Sequence, residues 1–399
     1  MAPFAGIRTT DLASTSFALM KRSVYDAMFD FKPYQTPITQ FLMASKRNKI
    51  AVGNPKFEAI EDTLIPVTAT ATSIAASGTA QTIVVDANGL AFPVGSVIRI
   101  EATNENAYVS TCTSATSLAI RALDNSTALT AATNTLIRVI GIVSAEGGAS
   151  PVAASTVATQ PYNYTQITKR AIHMSGTQMA SINYGMSSDW THQRMKATEE
   201  FKLDWERTNV FGIRNILTTS GAHLRFAGGL LDMSTTDGMG IQDYSQYVGD
   251  NFADEAFFFN TYCKNLFAKG SNEKVLYCGS DSLLGINDFS KIKQQTKVGE
   301  KEYGVDIQVI LTPFGRAKLV WHPVLEGEYS NWVVGVDRDD YLKYAYLSGN
   351  GVNRDMQWQD NIQVADEDER KAQYLAEWGP WLAGGAQGVH RVLYPGASS

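Results

Sequence analysis

The most regular alternation of apolar and polar positions lies at 187–213. Trp190, Ala197, Phe201, Trp205, Thr208 and Gly212 fall on one stripe at helical period. Arg194, Lys196, Glu199, Glu200, Lys202, Asp204, Glu206 and Arg207 occupy the other faces. Ser187, Ser188 and Asp189 offer cap chemistry for the start. The pattern predicts a rod of about seven turns, about 38 Å long at a rise of about 1.5 Å per residue. A narrow apolar stripe between charged flanks predicts a helix that lies across one sheet and leaves its outer face free.

The flanking patterns predict shorter elements. In the first 36 residues, Phe17, Met20, Val24, Ala27 and Met28 support one short amphipathic helix at most. Thr36-Pro37 reads as a helix start, with Thr as cap and Pro at the first helical position. That helix carries Ile38, Phe41 and Leu42 and fades at Ser45-Lys46-Arg47. Residues 52–65 read as a strand whose expected partner is distant, at 162–176. Along 162–176 both faces keep polar groups. Tyr164, Gln166, Thr168, Arg170 and Ile172 share one face, and Thr165, Ile167, Lys169, Ala171 and His173 share the other. A strand without a fully apolar face is expected to lie on another molecule as an arm-like hairpin. An ordinary edge hairpin is the alternative.

Between these two strands the composition shifts to Ala, Thr, Ser and Val, with Arg99, Arg121 and Arg138 as the basic residues of 66–160. Short β-runs recur at 82–86, 96–101, 107–113, 117–123 and 135–141, with Asn88-Gly89 and Val94-Gly95 as turn signals. They predict a small β-barrel or sandwich inserted within the hairpin. Residues 218–247 read as a long irregular loop. From 250 onward the pattern is α/β: a helix at 251–269 closed by Gly270, a strand at 274–279, and a short helix capped by Ser280. Strands follow at 303–312, 317–321, 331–336, 371–382 and 388–394.

Composition narrows the function classes. The net charge of -6 over 399 residues gives no basic face for gripping phosphates, which argues against a dedicated nucleic-acid reader. Three scattered cysteines, Cys112, Cys263 and Cys278, form no disulfide framework. No apolar run reaches the roughly 20 residues of a membrane span, so no membrane partner is expected. Catalytic signatures such as a phosphate loop or a GxSxG elbow are missing from the sequence. His173, His192, His223, His322 and His390 lack ligand spacing and are expected to be ordinary surface or interface histidines. Asp337-Arg338-Asp339-Asp340 and the charge run 366–370 read as solvated turns, and Gly279-Ser280-Asp281-Ser282 as a helix cap. The tryptophans Trp321, Trp332, Trp378 and Trp381 fit core filling and contact roles equally. No enzyme activity, cofactor, metal or catalytic residue is expected.

The order of elements, with the phrases TPITQFLMASKRNKIAVGNPKFEAIEDTL (36–64), NYTQITKRAIHMSGTQMASINYG (163–185), EEFKLDWERTNVFG (199–212) and ILTPFGRAKLVW (310–321), resembles the major capsid proteins of tailed phages. The resemblance covers most of residues 36–395. It implies an α+β Hong Kong 97-like phage capsid fold with an inserted small all-β domain. It also implies seven segments: an N-terminal arm (1–36) reaching a neighbour; the start of the peripheral domain and first extended-loop strand (37–66); the inserted domain (67–159), decorating the outer surface; the second extended-loop strand (160–186); the spine helix and peripheral domain (187–249); the axial domain (250–375); and closing peripheral strands (376–399). The extended loop would lie over the next subunit's spine helix.

The implied partners are further copies, as hexamers and pentamers of an icosahedral or prolate shell around double-stranded DNA held without sequence-specific binding. Thirty-odd arm residues are too few for a cleaved scaffolding region, so a separate scaffolding protein and a portal are implied, with decoration or minor capsid proteins as further partners. No covalent crosslink is expected, although Lys169 lies in the loop. The implied location is the virion, assembled in the host bacterial cytoplasm. The candidate intersubunit contacts are Lys56, Glu58, Lys169 and Arg170 on the loop, with Glu199, Glu200 and Asp204 on the spine helix. A carbohydrate- or surface-binding decoration protein, using the Thr/Ser-rich module, is the competing reading.

Overall fold

The computed structural model describes residues 36–394, except 45, 75–79, 87–88, 124–128, 131, 149–154, 183–187, 220, 237–239, 244–254, 290–296, 303–304 and 386. The expected arm, apart from Thr36, and its short helix lie outside the described residues. The chain divides into two compact units, Ile60–Gln160 and the remainder, Met1–Ala59 with Pro161–Ser399.

The smaller unit is a closed barrel. Its strands run in the order Thr68–Ile74, Ala80–Val85, Ser117–Ala122, Glu105–Ser114, Ser96–Ile100 and Ala132–Ile142, which returns to Thr68–Ile74. Alternate residues point inward, and Ile83, Ile98, Val109, Leu118, Ile120 and Ile137 fill the interior without exposure. Five strands lie where the β-runs predict them. Thr68–Ile74 escapes the pattern because its inward positions include Ala69 and Ala71, which are too small to mark a strand.

The larger unit holds two sheets. In the first, the order is Lys49–Val52, Leu342–Gly349, Glu369–Leu382 and Gln166–Ser175, with two short strands, Val352–Asn353 and Gln357–Gln359, attached. The second has seven strands: Gly240–Asp243, Arg391–Tyr394, Val333–Val336, Glu273–Cys278, Gly315–Trp321, Val305–Thr312 and Lys297–Glu302. A boundary at 375 would cut through Glu369–Leu382, a single 14-residue strand.

The predicted spine is observed at Asp189–Phe211, capped by the Ser188 hydroxyl. Its stripe packs Phe201 and Trp205 onto the first sheet. Trp205 lies 4.4 Å from Trp378 and 5.3 Å from Tyr344, centroid to centroid, and Phe201 lies 5.8 Å from Tyr374. Such aromatic pairs contribute about 0.5–1.5 kcal/mol each beyond area burial.

The long hairpin expected from 52–65 and 162–176 is not what forms. Lys49–Val52 pairs in parallel with Leu342–Gly349, and Gln166–Ser175 pairs along its whole length with Glu369–Leu382, from Gln166 opposite Trp378 to Ser175 opposite Glu369. The ribbon reduces to Lys56–Glu58 against Tyr162–Tyr164, with a bridge between Glu61 and Thr159. The polar residues of the strand's inner face find partners. Arg170 meets Glu200, Thr168 accepts from Trp378 Nε1 at 3.2 Å, and Gln166 accepts from the Ala227 amide at 3.2 Å. A polar inner face is tolerated when each group is satisfied.

Three further expectations are corrected. Within 218–247 lie a hairpin, Asn215–Thr219 with Ala222–Phe226, a helix at Leu230–Thr236 and the strand Gly240–Asp243. The helix expected at 251–269 is described from Glu255 to Leu266 and contains a π-helical stretch, Phe258–Cys263. That stretch shifts the buried face to Phe258, Phe259, Tyr262 and Cys263. Gly270 then turns the chain at φ +79°. His322 and His390 are fully buried rather than at the surface, and Asp337 is also buried.

Candidate assembly surface

Two buried carboxylates hold the elements that carry the expected contact residues. Glu206, assigned by pattern to a charged face, is wholly buried. Its carboxylate accepts from the Ile38 amide (2.9 Å), the Thr39 amide (2.7 Å) and the Thr39 hydroxyl (2.6 Å), and lies 2.7 Å from His322 Nε2. The spine helix thereby caps the helix Pro37–Ala44 and joins it to the second sheet. A buried carboxylate at a helix N-terminus satisfies amides that have no intrahelical partner.

A second buried carboxylate, Glu377, receives Arg225 and Arg354, each at 2.6 Å, and the Thr165 hydroxyl at 3.2 Å. Arg225 belongs to the hairpin Asn215–Thr219/Ala222–Phe226, so Glu377 fastens that hairpin at its base. On one hairpin face Leu217 lies opposite Leu224 and Asn215 opposite Phe226, while Arg225 and His223 belong to the other. Leu217 and Leu224 are 47% and 49% exposed. An isolated two-stranded ribbon is marginal in water, and this one presents an apolar face. The sequence did hold a signal for it: Ser220-Gly221 between the alternating runs NILTT and AHLRF is turn chemistry.

The expected contact residues divide into two groups. Arg170 is held within its own subunit by Glu200, through Nε at 3.0 Å, and by Asp204 at 3.6 Å, and its guanidinium pKa is raised by the hydrogen bond to Glu200. Lys56 pairs with Glu58 across two exposed side chains. Lys169 and Glu199 are exposed. Among the described residues no group of three or more His, Cys, Asp or Glu side chains is placed to hold a metal. No helix among them is long and apolar enough to cross a membrane.

The strand Gln166–Ser175 forms an edge of the first sheet. Beside it, an open groove of about 500 Å³ runs between Arg170–Ser175 and the spine-helix residues Gln193, Lys196 and Glu200. Residues of both parities of the strand, from Arg170 to Ser175, line it.

This architecture meets a family model described as the SU10 major capsid protein, which matches residues 7–380. The chain belongs to the SU10 major capsid protein family. It is a capsid subunit that self-assembles into a shell, and its place is the virion. Among solved structures, the capsid of the native GTA particle is similar at a TM-score of 0.50 and 9% identity, covering 98% of this chain and 100% of that one. The capsid of the empty GTA particle is similar at 0.50 and 8% identity, covering 98% and 99%. A chain from Mycobacterium phage Cain reaches 0.47 at 9% identity, covering 99% and 100%. The GTA likeness is one of fold, the Hong Kong 97-like capsid fold. No curated protein matches the chain in sequence.

Proposed function

We propose that the subunit forms hexamers and pentamers of an icosahedral or prolate head that encloses double-stranded DNA. Assembly takes place in the host bacterial cytoplasm, with a separate scaffolding protein and a portal. The role is structural, without catalysis. Lys56, Glu58, Lys169 and Glu199 serve as intersubunit contacts, whereas Arg170, Glu200 and Asp204 brace the strand that carries Lys169.

The observation that carries the proposal is the placing of exposed apolar side chains on slender projections. In the smaller unit Ile60, Leu64 and Val157 are 75%, 93% and 90% exposed, and in the larger unit the hairpin leucines are half exposed. A solitary soluble protein seldom leaves grouped apolar side chains in water, and such patches mark association surfaces. The net charge of -6 suits a wall that lets packed DNA slide rather than bind. Expression with the scaffolding partner, followed by negative-stain microscopy, tests the proposal. Closed shells with fivefold and sixfold capsomers are expected. A chain that remains monomeric at every concentration, with and without that partner, refutes it.

A further inference from the structure

Four arginines that folding withdraws from water are each given a carboxylate. Arg214 stands 3.3 Å from Asp232, Arg225 and Arg354 share Glu377 at 2.6 Å each, and Arg338 stands 3.3 Å from Asp339. Arg391, at the head of the strand Arg391–Tyr394, departs from that pattern. It is half-buried, yet no carboxylate among the described residues pairs with it, and its buried Nε has no hydrogen-bond partner. Burial lowers the pKa of its guanidinium, opposed only by the nearby Tyr262 hydroxyl. An unpaired charge at such a depth is unfavourable until a counter-ion reaches it.

The surroundings leave the guanidinium accessible and supply no anion. Gly335 and Gly240 stand opposite Arg391 on the two neighbouring strands, so neither cross-strand position carries a side chain of its own. The Tyr262 hydroxyl fills the space beside Gly335 and donates to the Arg391 carbonyl at 3.1 Å. A Cβ on Gly388 would come within 3.3 Å of Arg391 Nη2, and glycine at that position, with φ +66°, leaves the nitrogen uncovered on that side. Lys274 adds positive charge nearby, but its Nζ is committed to the carbonyls of Leu266, Lys269 and Val389. His390 is neutral: its Nδ1 accepts from the Asp337 amide at 3.1 Å, its Nε2 donates to the Ala383 carbonyl at 2.8 Å, and burial lowers its pKa to about 3. Asp337 accepts from the Ser271 amide at 2.7 Å and makes no ion pair with Arg391. The local balance is therefore positive.

A guanidinium presents parallel N–H donors that match the paired oxygens of a carboxylate or a phosphate. The chain crosses from the first sheet to the second between Leu382 and Arg391, so a group bound here ties down that crossing. We infer that Arg391 anchors an oxyanion-binding site at the crossing between the two sheets. Two sources supply such an oxyanion: a free anion of phosphate type, and an acidic side chain of a second copy of the chain. The site itself does not depend on the shell-subunit reading, because it is tested on the unassembled subunit.

Inorganic phosphate is the probe, with sodium chloride at equal ionic strength as the reference and tryptophan fluorescence during heating as the readout. In chloride, Arg391→Met is expected to melt at or above the wild-type Tm, because an unpaired charge is removed and the aliphatic stem is kept. Phosphate at about ten times its Kd is expected to raise the wild-type Tm by about 3 °C more than that of R391M. Arg391→Lys keeps the charge without the fork and is expected to retain only part of that difference. A difference between wild type and R391M identifies a free anion as the ligand. No difference, together with an assembly threshold about tenfold higher in R391M at unchanged Tm, identifies an acidic side chain of a second copy. No difference with assembly unchanged overturns the site, as does a fall of about 5 °C or more for R391M in chloride, which would mark a structural arginine. A chain that never self-associates removes the shell reading and leaves the phosphate result to decide the site.

Discussion

Glu206→Ala removes the acceptor that joins three parts of the larger unit. The Ile38 amide, the Thr39 amide and the Thr39 hydroxyl lose their carboxylate, and His322 Nε2 loses its partner at 2.7 Å. All of these groups are buried, so water does not replace the lost partner. A buried donor left unmade costs about 1–3 kcal/mol, and removing one member of a buried charged network costs about 3–5 kcal/mol. The expected loss is about 4 kcal/mol, or a fall in Tm of about 10 °C for a unit of this size. Tryptophan fluorescence during thermal or urea unfolding is the assay. All seven tryptophans lie outside Ile60–Gln160, so the signal reports the larger unit alone. Thr39→Val removes the hydroxyl that donates to Glu206 and accepts from Asn209 Nδ2 at 3.3 Å, and is expected to cost about 1–3 kcal/mol. The E206A/T39V double variant is expected to lose less than the sum of the singles, because both delete the same bond. An E206A variant within about 1 kcal/mol of wild type, or strict additivity with T39V, refutes the assignment of Glu206 as a structural hub.

Two further predictions concern buried charges. Burial lowers the Lys274 amine to about 8, although its Nζ donates to the carbonyls of Leu266, Lys269 and Val389 at 2.7, 2.6 and 2.8 Å. Between pH 8 and about 10.4 the unfolded chain holds the extra proton, so this group makes stability rise with pH across that window. Its contribution is about 3 kcal/mol at most, and denaturant midpoints of wild type and Lys274→Met should converge or cross as pH rises; parallel pH profiles would exclude it. Glu377→Ala leaves Arg225 and Arg354 without their shared carboxylate and should cost about 3–5 kcal/mol. It should also speed amide exchange in Ala222–Phe226 ahead of the rest of the sheet, and uniform exchange across both would contradict the tethering role.

Much of the architecture was legible because it follows from local periodicity. The spine helix, the start at Pro37 and five of the six barrel strands are marked by runs whose apolar spacing fits one geometry. Elements whose stability comes from distant partners were not. Gln166–Ser175 has polar side chains on its inner face, and its place became intelligible only with Glu200, Trp378 and Ala227 beside it. Glu206 has the same sequence signature as the exposed acids around it, and burial distinguishes it because the amides of Ile38 and Thr39, 168 and 167 residues away, converge on its carboxylate.

The candidate contacts divide the same way. The sequence by itself determined which residues carry charge and that Lys169 and Arg170 fall on opposite faces of one strand. Only the tertiary structure decided that Arg170 is satisfied at home, that Lys169 stays exposed, and that the strand carrying both lies at an edge of its sheet. The physical reason is that alternation is a local property of the backbone, whereas satisfaction of a charge or a strand edge depends on which distant groups folding brings within hydrogen-bonding reach.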